Sequence, residues 1–133
     1  MPKTRAVKTG KFRSKLEKFC SDQLHLSSIP HEYEQVKYVI VPSFTYEGTS
    51  LEKIAKEFKQ QREGQAAITY TPDFTGSGWI IECKGHFTTT ARLKWKLFKR
   101  YLTQNSIKVD LYMPTNQKEV MYVIEKIMAK MTV

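Results

Sequence analysis

Apolar residues recur at intervals of three and four positions in three long stretches of the chain. These stretches cover about residues 12–25, 89–102 and 116–128. Such spacing places the apolar side chains on one face of a helix and the polar side chains on the other. The pattern therefore predicts three amphipathic helices that pack against a core.

Four shorter segments have the pattern of β-strands. Runs rich in β-branched or alternating apolar residues occur at 36–41, 66–70, 79–83 and 107–113. Pro42 and Pro114 follow the first and the last of these runs, as expected at strand ends. With the helices, they predict an α/β fold in which helices flank a mixed central β-sheet.

The segment 43–65 is predicted to be an insertion between two strands. It begins as a loop, and Thr49-Ser50-Leu51-Glu52 has the sequence of a helix capping box. Apolar residues at helical spacing follow, and Gly64 is placed to end the segment. We therefore expect a short inserted helix, which serves as a dimerisation arm, a DNA-contacting lid or a simple elaboration. The predicted order is helix, strand, inserted helix, strand, strand, helix, strand, helix.

The most informative chemistry lies around the third predicted strand. Side chains alternate along a strand, so Glu82 and Lys84 share one face while Cys83 lies on the other. The glycines of segment 75–78 suit a tight hairpin that brings Asp73 back beside Glu82. Carboxylates are ligands for hard cations such as Mg²⁺, which activate water for phosphodiester hydrolysis.

A Glu-x-Lys pair is also common on solvated strand faces. Here, however, Pro72-Asp73, an apolar strand and Glu82-Cys83-Lys84 follow one another closely. This combination favours a metal-dependent phosphodiesterase site over a solvated surface.

The charge of the chain points to a polyanionic partner. It has 22 basic and 13 acidic residues, a formal net charge of +9. Nucleic acid is the leading candidate, although soluble basic proteins and membrane-surface proteins have similar values. Residues 1–10 are basic and poor in apolar side chains, which predicts a flexible arm available to phosphates or simple terminal disorder. Residues 11–133 are predicted to form a single domain.

No segment has the pattern expected of a membrane span or a disulfide framework. Apolar runs are far shorter than the roughly 18 residues that a spanning helix needs, and the first residues are too polar for a signal peptide. We therefore expect a cytoplasmic protein with no membrane partner. Cys20 and Cys83 are predicted to be buried small hydrophobic residues.

The helix predicted at 89–102 presents basic side chains on the arc opposite its apolar face. They are candidate phosphate contacts: Arg92, Lys96, Lys99 and Arg100. Lys94 projects from the apolar side of this helix, so it must snorkel, pair or reach toward the site. In the first helix Arg13 is a further candidate for DNA contact, although it can also pair with Glu17 one turn later.

Several motifs resemble those of a known nuclease family. Pro72-Asp73 with Glu82-Cys83-Lys84 is similar to the signature of the PD-(D/E)XK nuclease superfamily. A narrower resemblance, to the phage endonuclease I family of Holliday-junction resolvases, covers about residues 11–85. It is carried, in order, by Phe12-Arg13-Ser14-Lys15-Leu16-Glu17, Gln23-Leu24, Glu32-Tyr33-Glu34, Tyr38-Val39-Ile40 and Tyr70-Thr71-Pro72-Asp73-Phe74. The segment 43–65 is longer than the connection expected in that family.

The resemblance implies a restriction-endonuclease-like core and a catalytic site. Asp73 and Glu82 would be metal ligands and Lys84 the catalytic lysine, with Glu17 completing the site from the first helix. Glu32 falls on a further acidic position of the pattern. Members of the family cut branched double-stranded DNA with Mg²⁺ as intertwined homodimers that exchange segments.

The resulting mechanistic hypothesis has two Mg²⁺ ions per site, for which Mn²⁺ can substitute. Asp73 would bridge them, Glu82 and the Cys83 carbonyl oxygen would bind one, and Glu17 would assist the other. The alternatives are a related nuclease that acts on unbranched DNA, a DNA-binding module without catalysis, and a basic scaffold protein.

Overall fold

The structure is a computed structural model that describes residues 11–61 and 64–132. The basic arm predicted at residues 1–10 lies outside the described residues. The described residues divide into two compact units, one formed by residues 11–37 with 71–132 and the other within Tyr38–Tyr70.

Three α-helices are present in the described residues, at the positions that the apolar periodicity predicted. They are α1 (Lys15–Leu26), α2 (Thr89–Gln104) and α3 (Gln117–Met131). Each begins after a residue whose side chain accepts a hydrogen bond from a backbone amide of the first turn: Ser14, Thr88 and Asn116. None of these helices has the length and apolarity needed to cross a membrane.

Ten strands are assigned in the same residues. They are β1 (Glu32–Tyr33), β2 (Tyr38–Val41), β3 (Phe44–Thr45), β4 (Leu51–Ile54), β5 (Glu57–Gln60), β6 (Gly64–Gln65), β7 (Ile68–Tyr70), β8 (Phe74–Gly76), β9 (Trp79–Ile81) and β10 (Asp110–Tyr112). The first unit contains a sheet in the order β1-β8-β9-β10. β8 is antiparallel to both of its neighbours, whereas β9 and β10 are parallel. The expected α/β class is thus confirmed, whereas the strands predicted at 36–41 and 66–70 pair with each other as β2 and β7 and are not part of this sheet.

The core of the first unit lies on one face of this sheet. Trp79, Ile81 and Cys83 alternate along the chain and belong to one buried cluster with residues of α1 and α3. Ile80 points to the opposite face and is also buried, as are Phe98 and Leu102 of α2, and none of these three belongs to that cluster. A parallel β9–α2–β10 crossover places its helix against one face of the sheet. The two sides of β9 therefore have separate layers of packing.

The second unit, Tyr38–Tyr70, is a two-stranded antiparallel ribbon. β2 pairs with β7, β3 with β6, and β4 with β5, so the chain runs out along one strand and returns along the other. Its tip lies at Ala55 and Lys56, whose φ angles of 50° and 74° are left-handed. Consecutive left-handed residues are the geometry of a tight hairpin turn.

The prediction of an inserted helix after Thr49 was wrong, because this segment forms the β4–β5 hairpin. In the hairpin Glu52 lies opposite Lys59, a favourable cross-strand charge pair. The Ser50 hydroxyl donates to the Glu52 carboxylate, not to a helical backbone. The flanking strands already run antiparallel, so a hairpin continues their ladder, whereas an isolated helix this short is marginal. Short apolar runs of this kind are ambiguous between helix and strand.

The turn at the tip provides a test of this assignment. Replacing Lys56 by glycine is expected to stabilise the β4–β5 hairpin by about 1 kcal/mol, because a left-handed conformation costs an L-residue roughly that much. Slower hydrogen exchange of the β4 and β5 amides would measure the gain. Lys56→Ala is the matched control, since it removes the same charge and keeps the Cβ atom. Equal protection in both variants would contradict the left-handed turn.

Candidate metal centre

The β8–β9 hairpin places Asp73 beside Glu82, as the sequence predicted. Gly78 has a φ of +83°, and a Cβ at Gly76 would lie 2.1 Å from the Trp79 ring, so both positions need glycine. The Asp73 amide donates to Glu82 Oε1 at 3.3 Å. The Cys83 amide donates to Asp73 Oδ2 at 2.8 Å. The turn thus fixes the two carboxylates on adjoining chain segments.

Glu82 and Lys84 lie on the same side of the extended chain that follows β9. Their backbone amides donate to the carbonyl oxygens of Tyr112 and Pro114, which repeat the two-residue period of a strand. Lys84 Nζ lies 3.1 Å from Glu82 Oε2. The lysine is therefore held against a buried carboxylate at the edge of the site.

Helix α1 supplies a third carboxylate. Glu17 is only 6% exposed, and its Oε1 accepts hydrogen bonds from the Tyr33 hydroxyl at 2.7 Å and the Arg13 amide at 3.2 Å. The N-cap at Ser14, which accepts from the Glu17 amide, sets the first turn of the helix in this orientation. Glu17 is brought to the site, as the resemblance implied.

Glu34 is the residue that the sequence predictions missed. Its φ of 51° is left-handed, and its amide donates to the Asp73 carbonyl oxygen at 2.9 Å. Carboxylate oxygens of Glu17, Glu34 and Asp73 lie within 4.8 Å of one another. Glu32, the accessory acid of the sequence pattern, is exposed on β1 opposite Thr75 and is not in this group.

The order Glu32-Tyr33-Glu34 contains the only sequence signal for Glu34. In a regular strand both glutamates would face the same way. The left-handed backbone at Glu34 ends that alternation, and nothing in the local sequence favours it, because such φ values are uncommon outside glycine, asparagine and aspartate. From the sequence alone, therefore, Glu34 could not be distinguished from Glu32 as a candidate site residue.

Burial and neighbouring charges raise the pKa of two carboxyls in this cluster, those of Asp73 and Glu17. Burial, followed by the charges of Glu82 and Glu17, raises the pKa of Asp73 from its ordinary value of 3.8 to about 8. Burial also raises the pKa of Glu17, against the lowering effect of its hydrogen bond from Tyr33. Burial, followed by the hydrogen bond to Glu17, raises the pKa of the Tyr33 hydroxyl, so Tyr33 remains a hydrogen-bond donor.

The donor set fits a hard divalent cation. Closely spaced carboxylate oxygens are the ligands that Mg²⁺ prefers, and a bound cation would offset the burial and the neighbouring charges that raise the pKa of Asp73. Among the described residues, Glu17, Glu34 and Asp73 form a group whose carboxylate oxygens are close enough together to hold such an ion. Glu82 adjoins them through its hydrogen bond from the Asp73 amide.

The two cysteines behave as predicted. Cys20 and Cys83 are both free and buried within the core cluster. A hydrogen bond with Cys20, together with burial, raises the pKa of the Cys83 thiol. A neutral thiol on the core face is not a metal ligand, so any contribution of Cys83 to a metal comes from its backbone.

The predicted DNA contacts differ in their surroundings. Arg13 forms an ion pair with Glu34, with 2.9 Å between Nε and Oε2, so it is tied to the acidic cluster. Lys94 is half-buried on α2. The remaining basic residues of that helix are exposed: Arg92, Lys96, Lys99 and Arg100.

Comparisons of the chain with protein families, with curated proteins and with solved structures found no match.

Proposed function

We propose that this protein is a Mg²⁺-dependent endodeoxyribonuclease that cleaves branched DNA and resolves four-way junctions by paired phosphodiester hydrolysis. The observation that carries the proposal is the convergence of Glu17, Glu34 and Asp73 next to the Glu82–Lys84 pair. A buried group of carboxylates is costly in a protein unless a cation or a proton compensates it. In a chain of net charge +9, such a group is best explained by chemistry on a polyanion.

In this proposal the carboxylates hold the metal and the lysine acts on the water. Two Mg²⁺ ions, replaceable by Mn²⁺, would supply an activated water and neutralise charge on the scissile phosphate. Asp73, Glu82, Glu17 and the Cys83 carbonyl oxygen would hold the ions. Glu34 is a further candidate ligand, because its carboxylate lies within 4.8 Å of those of Glu17 and Asp73. Lys84, 3.1 Å from Glu82, would orient the attacking water or stabilise the developing charge.

The Tyr33 hydroxyl has a supporting role in the same scheme. It donates to Glu17 Oε1 at 2.7 Å and thereby favours the ionised carboxylate that binds a cation. It also fixes the orientation of Glu17, as hydrogen bonds from neighbouring groups do for metal ligands. Tyr33 is therefore a positioning residue in the proposed site.

The exposed cations of α2 would bind the phosphate backbone. Arg92, Lys96, Lys99 and Arg100 lie on the helix that follows Lys84 in the chain. Phosphate contacts of this kind orient DNA without reading its sequence. We therefore expect binding that weakens strongly with salt.

Junction selectivity, the restriction-endonuclease-like core and the homodimer are parts of the proposal that rest on the resemblance to phage endonuclease I. Two symmetric cuts need two active sites, which a homodimer supplies. Exchange of segments between subunits belongs to the same expectation.

The test is cleavage of an immobile four-way junction and of a matching linear duplex, with Mg²⁺ or with EDTA. Paired nicks that require Mg²⁺ and disappear in Glu82→Ala would support a resolvase. Equal cutting of both substrates would retain the nuclease and reject junction selectivity. Binding without cleavage in either Mg²⁺ or Mn²⁺ would overturn the catalytic assignment.

Glu34 and Glu32 allow a matched comparison within the site. Glu34→Gln is expected to lower junction cleavage about tenfold or more, since it removes a candidate ligand charge. Glu32→Gln makes the same chemical change two residues away on an exposed side chain, so cleavage should change less than about twofold. Single-turnover rates in Mg²⁺ measure both. A larger loss in Glu32→Gln than in Glu34→Gln would mean that the sequence pattern, not the observed cluster, identifies the working acid.

A further inference from the structure

A large cavity lies at the end of the first unit that does not contain the acidic cluster. Its volume is about 1010 Å³, and it is lined by the β8–β9 turn, the last turns of α2 and α3, and β10 with the residues before it. None of the site carboxylates lines it. Small-molecule sites usually have volumes of about 300–1,000 Å³, so this cavity also has room for a peptide segment.

One wall of the cavity is an open strand edge. β10 is the last strand of its sheet, with β9 as its one neighbour in the described residues. The Asp110 amide donates a hydrogen bond to the Gly78 carbonyl oxygen, and the Tyr112 carbonyl oxygen accepts one from the Glu82 amide. The backbone groups of Asp110 and Tyr112 therefore face β9 and the residues that flank it. In a parallel ladder the residue between them directs its N–H and C=O away from that neighbour. Leu111 therefore directs its backbone groups toward the open edge.

The remaining walls combine apolar surface with lysines. Leu102, Ile107 and Ile127 provide apolar side chains. Lys99, Lys108 and Lys130 also line the cavity, and one aspartate, Asp110, pairs with Lys130. The lining thus has an excess of positive charge around an apolar floor.

We propose that this cavity docks an extended acidic segment of a partner protein, which adds a strand to β10. The backbone of such a segment would pair with the edge at Leu111, its apolar side chains would enter the cavity, and its carboxylates would meet Lys108. A second copy of this chain is a poorer occupant of this cavity, because a chain with a net charge of +9 complements the lysines of the lining less well than an acidic segment does. Duplex DNA would complement the charge of the lysines, but it has neither apolar side chains to fill the cavity floor nor a peptide backbone to pair with the strand edge.

The probe is a fluorescent synthetic peptide that alternates valine with aspartate, and binding to the full-length protein is read by fluorescence anisotropy. Saturable binding is expected, and it should be lost when lysine replaces aspartate in the peptide. N-methylation at every second residue removes amide donors from one edge of the peptide strand only. One of the two N-methylated registers should abolish binding and the other should preserve it.

Two exposed lysines give a matched pair of protein variants. Lys108→Glu reverses a charge at the cavity and is expected to weaken binding about tenfold. Lys118→Glu makes the same change on the first turn of α3, outside the cavity, and should alter binding less than about twofold. Circular dichroism checks that both variants are folded.

Three results with the peptides and the two lysine variants would overturn the proposal. They are no saturable binding of the acidic peptide, equal binding of the two N-methylated registers, and an equal effect of the two lysine reversals. Displacement of the peptide by linear duplex DNA, with the same sensitivity to Lys108→Glu, would assign the cavity to DNA and also reject it.

Discussion

Asp73→Asn is expected to reduce cleavage of a four-way junction by at least about a thousandfold, while binding of the junction is kept or becomes tighter. Asparagine preserves the shape of the side chain and can still accept the hydrogen bond from the Cys83 amide. It removes a carboxylate charge that would help to hold the metal ions, and metal-assisted hydrolysis depends on those ions. Binding is retained because the substitution removes no basic contact to the phosphates and leaves no charge at this position that could repel them.

Single-turnover cleavage in Mg²⁺ and gel-shift binding in EDTA measure the two effects separately. Asp22→Asn is the matched control, because Asp22 is an exposed aspartate of α1 paired with Lys18. It makes the same chemical change and should leave cleavage within about twofold. Cleavage by Asp73→Asn at more than about a tenth of the unchanged rate would remove Asp73 from the catalytic site.

The centre of the site was predictable because its geometry is local. Asp73 and Glu82 are joined by one tight hairpin, and glycines at 76 and 78 indicate where the chain turns. Strand alternation then places Lys84 with Glu82. The same local rules located the three helices, whose caps and apolar periodicity lie within each segment.

Features that depend on distant parts of the chain were not predictable in the same way. The segment that follows Thr49 has the pattern of a capped helix, but the pairing of β2 with β7 and β3 with β6 makes it a hairpin. Its turn residues, Ala55 and Lys56, carry none of the usual turn signals. Tertiary pairing overrides local propensity in this ribbon.

Which of Glu32 and Glu34 belongs to the acidic cluster also depends on a distant part of the chain. The sequence offers two glutamates separated by one tyrosine, and only the left-handed backbone at Glu34 decides which one approaches Asp73. That backbone is held by the bond from the Glu34 amide to Asp73, a contact between segments far apart in the chain. The local sequence pattern carries no information about such a contact.

Without divalent metal, the protein should become less stable as the pH rises from about 4 to about 8, and Asp73→Asn should abolish much of that loss. The folded state raises the pKa of Asp73 from 3.8 to about 8, so it binds this proton more tightly than the unfolded chain does. The associated stability is fully present below the unfolded pKa and is lost as the pH rises through the folded pKa. Its size is on the order of a few kcal/mol, since one pKa unit corresponds to about 1.4 kcal/mol.

Other carboxyl groups also titrate, so the informative quantity is the difference between Asp73→Asn and the unchanged protein. The pKa of Glu17 is raised and adds to the same trend, whereas those of Glu52 and Glu119 are lowered and oppose it. Thermal unfolding in EDTA should give nearly equal midpoints at pH 4 and a higher midpoint for Asp73→Asn at pH 8. Asp22→Asn should show no such divergence.

Addition of Mg²⁺ links this stability effect to the proposed metal site. A cation that binds the ionised cluster in the folded state stabilises it by mass action. At pH 8 Mg²⁺ should therefore raise the unfolding midpoint of the unchanged protein more than that of Asp73→Asn. If the unfolding midpoints of the two proteins diverge with pH but rise equally with Mg²⁺, the raised pKa of Asp73 is supported and the metal site is contradicted. If they do not diverge, Asp73 is ionised at little cost, and electrostatic strain in the cluster is no argument for a bound cation.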